Sequence, residues 1–73
     1  MDAKTKELVG IAAAVAGQCQ RCFSYHYNEA KRLGIDRNDI EEAIEFAKAI
    51  RAAGAQGMDE FVKRVIVQKG ESK

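Results

Sequence analysis

Residues 17–30 read GQCQRCFSYHYNEA and contain Cys19 and Cys22, the only two cysteines, and His26, the only histidine, of a 73-residue chain. Gly17 breaks one helical stretch, and the residues after it start another. Successive helical residues turn by about 100°, so Cys19, Cys22 and His26 fall within an arc of roughly 60° and share one face. Ala30 and Leu33 continue that face and Phe23 flanks it. The stretch therefore reads as the turn and second arm of a helix hairpin that carries nearly all of the chain's distinctive chemistry.

Outward from this stretch, glycine supplies the punctuation, since the chain has no proline. Gly17, Gly34 and the pair Gly54 and Gly57 sit where helix C-terminal caps are expected. They divide the chain into four segments of helical length. The first, residues 5–16, is alanine-rich with Leu8, Val9, Ile11 and Val15. The second covers residues 18–33. Asp36 is a candidate N-cap for the third, and Asp39 suits its positive end. In that segment Ile40, Ala43, Ile44, Ala47 and Ile50 follow the 3.6-residue period, with Phe46, Ala49 and Ala53 widening the stripe. In the fourth, Met58, Phe61, Val62, Val65 and Ile66 form another amphipathic face. Residues 69–73 are expected to fray. No segment alternates with period two, so the expected architecture is all-α: one domain over residues 1–73, a small bundle of about four helices.

The apolar fraction is 47%, but twelve of these residues are alanine. Alanine favours helix and close helix approach while burying little area. A chain this short has a thin core, so the bundle is expected to be completed by self-association. Twelve basic residues nearly cancel eleven acidic ones, and both signs are interleaved. This pattern gives no footprint for nucleic acid and no polybasic patch for a membrane surface. No apolar run is long enough to span a bilayer. Lys4, Lys6 and the run Leu8–Ala16 resemble a weak signal peptide, but Asp2, Glu7 and Gly10 spoil it. A cytoplasmic, reducing setting is expected, where a cysteine pair points to catalysis or metal rather than a structural bridge.

Three readings of the Cys–His helix follow. Cysteine packs as a small hydrophobe and a lone histidine on an apolar face is commonly a core residue, so all three could be packing. A metal site could use them, but structural zinc takes four ligands, usually from two clusters, and no second cluster exists here. The redox reading fits the pattern best. A Cys-x-x-Cys at a helix start can close a short disulfide, and its thiolate gains from the positive end of the helix dipole. Arg21 adds positive potential, and His26 lies one turn beyond Cys22, at the spacing where helix neighbours meet.

A histidine acting as a base needs an orienting group. Folding the first two segments back about Gly17 and Gln18 brings Glu7 level with about residue 28, which suggests a relay from Glu7 to His26 to Cys22. Tyr25 and Tyr27 flank the histidine, with packing as their expected role. There is no Gly-rich phosphate loop, no Gly-x-Ser-x-Gly elbow and no paired-carboxylate motif, and no cofactor is implied.

The spacing Glu7-(11)-Cys19-(2)-Cys22-(3)-His26 resembles the signature of the alkylhydroperoxidase D-like branch of the carboxymuconolactone decarboxylase family, and NEAKRLGIDRNDIEEAI after it resembles the family's run of a small residue, a glycine and a capped helix rich in glutamate. The resemblance implies small all-helical subunits associated as trimers or hexamers. It also implies a thiol-dependent peroxidase or disulfide reductase, re-reduced by a dithiol partner such as a lipoyl or thioredoxin-like protein. Carried over, Cys22 is the attacking thiolate, Cys19 the resolving thiol, His26 the base and Glu7 its partner. The alternative from the residues alone is a non-catalytic helical oligomer that binds metal or senses redox state. Against the family's longer members the chain is expected to be a minimal version, with pocket walls that extra helices supply there expected to come from neighbouring subunits or to be absent.

Overall fold

The computed structural model describes residues 1–68, which form three helices: α1 (Ala3–Ala16), α2 (Gln20–Arg32) and α3 (Arg37–Gln68). Among these residues there is no strand. Asp2 caps α1, its carboxylate accepting from Thr5 N–H at 2.7 Å. That hydrogen bond holds the Asp2 carboxyl below the usual carboxylate range. Asp36 caps α3 as expected, accepting from Asn38 N–H at 2.8 Å.

The two interhelical turns share one design. At the end of α2, Gly34 takes a left-handed conformation (φ 74°), while its N–H bonds to Lys31 and that of Ile35 to Ala30. This is the Schellman arrangement, and its apolar contact joins buried Ala30 and Ile35. The end of α1 repeats it one register step later than the glycine suggests. Gly17 is right-handed (φ −86°), and the left-handed residue is Gln18 (φ 56°). Gln18 N–H bonds to Val15 and Cys19 N–H to Ala14. A non-glycine residue here costs about 1 kcal/mol. Gly17 is nonetheless tightly placed, because an added Cβ would lie 3.0 Å from the Ala13 carbonyl oxygen.

The four expected helical segments are three. Gly54 and Gly57 lie inside α3, which runs 32 residues without interruption. Each glycine costs a helix about 1 kcal/mol relative to alanine, but the surrounding alanine, arginine, glutamine and methionine are good helix formers. Propagation through them is cheaper than ending one helix and nucleating another. Neither glycine meets a neighbour that would demand a turn.

The core lies where α1 meets both other helices. Ile11, Ala30, Ile35 and Ile40 form its buried centre, with Leu8, Phe23, Tyr27, Leu33 and Ile44 packed around them. Tyr27 stacks on Phe23 at 5.5 Å, and the Lys31 ammonium sits over its ring. Only the first half of α3 shares in this packing. Ala47 is buried, whereas Phe46, Ile50, Met58, Phe61, Val62 and Ile66 stay exposed. The molecule is accordingly elongated, 56 × 21 × 19 Å. The expected fraying of residues 69–73 lies outside the described residues.

Candidate active site

Cys19 belongs to two motifs at once. Its backbone N–H closes the turn that ends α1, and its side chain is the N-cap of α2, with Sγ accepting from Cys22 N–H at 3.2 Å. Cys22 is exposed in the first turn of α2, and the two sulfurs are joined as a disulfide. The pair thus sits at the positive end of a helix, where a thiolate is favoured.

One turn further along α2, the His26 ring turns toward α1. Its Nδ1 lies 2.7 Å from Glu7 Oε1, across the hairpin. Glu7 is the one charged residue buried among the described residues, at 9% exposure. A carboxylate only accepts hydrogen bonds, so Nδ1 carries the proton in the neutral ring and Nε2 keeps the free lone pair. The chain therefore holds the histidine in the tautomer whose outer nitrogen can take a proton. Tyr25 is exposed and meets the ring edge-on at 5.0 Å. Further along α2, the Arg32 guanidinium bonds Glu29 at 2.7 Å and holds its carboxyl below the usual range.

Two residues of this neighbourhood escaped the sequence reading. Gly10 interrupts the α1 apolar run, and it is where the histidine fits. A Cβ there would stand 2.6 Å from His26 Cγ and Nδ1 and 2.8 Å from Cε1. A usable signal was available, since Gly10 follows Glu7 by three residues and shares its helix face. Arg51 is the second. It reaches from α3 to donate from Nη1 to the Val15 carbonyl at 2.9 Å. Nothing local in the sequence marks that contact, because it spans 36 residues. Among the described residues no three His, Cys, Asp or Glu side chains gather in a way that could hold a metal. No described helix is long and apolar enough to cross a membrane.

Comparison with known proteins supplies the family. Residues 1–60 match the Carboxymuconolactone decarboxylase family. The chain belongs to that family. A protein of Paracoccus denitrificans named "Uncharacterized protein 4 in cox locus" is 38% identical over 55 residues, covering 75% of this chain and 50% of that protein. "Alkyl hydroperoxide reductase AhpD" of Streptomyces griseus is 33% identical over 48 residues, 66% of this chain and 27% of the relative. The protein of the same name from Streptomyces avermitilis matches to the same extent. These relatives and the paired cysteines place the chain in the AhpD-like branch. The chain spans half or less of the length of these relatives, and no solved structure matches it.

The close approach at Gly10 predicts a change of sign in a mutant cycle. Gly10→Ala adds helix propensity worth about 1 kcal/mol but forces the ring aside at a cost of about 1–3 kcal/mol. Urea unfolding should show Gly10→Ala destabilising in the wild-type background and stabilising in the His26→Ala background. Stabilisation by the same amount in both would mean that the ring does not rest on Gly10.

Proposed function

We propose that the chain is a thiol-dependent peroxidase or disulfide reductase working through Cys19 and Cys22, with His26 and Glu7 as proton relay. The observation that carries this reading is the 2.7 Å Glu7–His26 contact one helical turn beyond the cysteine pair. The AhpD relatives support the chemical class. In the reduced chain His26 Nε2 takes the Cys22 proton, directly or through a water, and Glu7 holds the ring for that transfer. The Cys22 thiolate attacks a peroxide oxygen and the O–O bond breaks. Cys22 becomes a sulfenic acid, and the alkoxide leaves with the proton returned by His26. The Cys19 thiolate then attacks the sulfenic sulfur, forming the disulfide and releasing hydroxide, which becomes water. A dithiol donor, such as a lipoyl or thioredoxin-like protein, supplies two electrons to restore the thiols. A cytoplasmic, reducing setting suits that cycle.

The subunits are proposed to associate as a trimer or hexamer. The exposed apolar residues along α3, Phe46 and Ile50 and then Met58, Phe61 and Val62, support this, because a monomer leaves them in water.

Two measurements test the proposal. Cys22→Ser should lose dithiol-dependent peroxide reduction by more than about a hundredfold, as removal of a nucleophile does. Full retention would remove Cys22 from the mechanism. Light scattering at micromolar concentration should give a multiple of the 8.0 kDa chain mass, and a stable monomer would contradict the association.

A further inference from the structure

The disulfide also borders, through Cys19, an open cleft of about 510 Å³, large enough for a small molecule. Cys19 lines it and Cys22 does not. Ala14, Val15 and Phe23 give it apolar lining, and Arg51, bonded to the Val15 carbonyl, lines it too. No Asp or Glu lines it. Arg51 is tethered to the Val15 carbonyl by one of its five N–H donors and, among the described residues, has no carboxylate partner. Gln18, held in its left-handed conformation where glycine would be at ease, also lines the cleft. A guanidinium without a carboxylate partner, lining the same cleft as Cys19 and an apolar wall, is suited to a ligand with an anionic end and a sulfur.

The geometry points to this cleft as the subsite for a small thiol reductant bearing a carboxylate, anchored by Arg51 and attacking Cys19. This rests on the redox role of the cysteine pair given above and divides its work. Peroxide meets Cys22 beside His26, whereas the reductant meets Cys19 from the cleft. The reductant's thiolate attacks Cys19 Sγ, an S–S bond forms between them, and the Cys19–Cys22 bond breaks. Cys22 leaves with the electron pair and takes up the proton that the reductant lost. A second thiol then attacks the reductant's sulfur in the mixed disulfide, producing oxidised reductant and the Cys19 thiolate. Two thiols have given two electrons to one disulfide.

The test compares mercaptopropionate with its neutral amide as reductants of the oxidised full chain, with rates corrected for thiolate concentration and followed by intact mass after alkylation. The acid should react about fivefold faster than the amide, the scale of an exposed ion pair. Arg51→Gln should abolish that preference, and Arg37→Gln, with the same charge change at the far end of the bundle, should keep both the preference and the amide rate. Peptide mapping of the trapped mixed disulfide should find the adduct on Cys19. Equal rates in the wild type, a preference that survives Arg51→Gln, or an adduct on Cys22 would overturn the subsite. The readout needs no peroxide. A chain showing the preference but reducing no peroxide would therefore sink the peroxidase reading alone, and peroxide turnover without the preference would sink the subsite alone.

Discussion

The contact between Glu7 and His26 is the constraint on which the rest of the site depends. It places a charged group at 9% exposure in a small apolar core and keeps it there by one hydrogen bond to a ring on the neighbouring helix. Burying a carboxylate without such a partner would be costly. The contact requires α1 and α2 to approach closely, and Gly10 permits this by having no side chain where the ring lies. A glycine inside a helix sacrifices some stability to backbone freedom. Here that loss is offset by the space it leaves for the imidazole.

The turn before α2 sets the register in which this contact forms. Cys19 ends α1 through its backbone and starts α2 through its sulfur, so no residue separates the two roles. Insertion of a single residue there would rotate α2 by about 100° relative to its start and carry His26 off the face that meets Glu7. The redox pair and the relay are therefore tied to the same few backbone hydrogen bonds. Beyond them, α3 contributes core residues through its first half and exposes an apolar face along the second.

Much of this was legible in the chain because it is local. Helical periodicity, the Asp36 cap and the Gly34 turn depend on near neighbours, and the hairpin that joins Glu7 to His26 follows from reflection about residues 17 and 18. Three features were read differently. Gln18 rather than Gly17 takes the left-handed conformation, since Schellman hydrogen bonding selects a register that glycine preference alone does not fix. Gly54 and Gly57 do not end a helix, because good helix formers on both sides carry it through. Gly10 reads in the sequence only as a break in a signal-like run, and its purpose emerges with the ring opposite. Arg51 meets Val15 through tertiary packing that no local pattern encodes.

The most direct measurement is the protonation pattern of the His26 ring, by two-bond proton–nitrogen correlation in the protein with its imidazole neutral. The Glu7 contact predicts a proton on Nδ1 and a bare Nε2, with that preference lost in Glu7→Gln. A neutral ring protonated at Nε2 in the wild type would contradict the contact and, with it, the relay built on it.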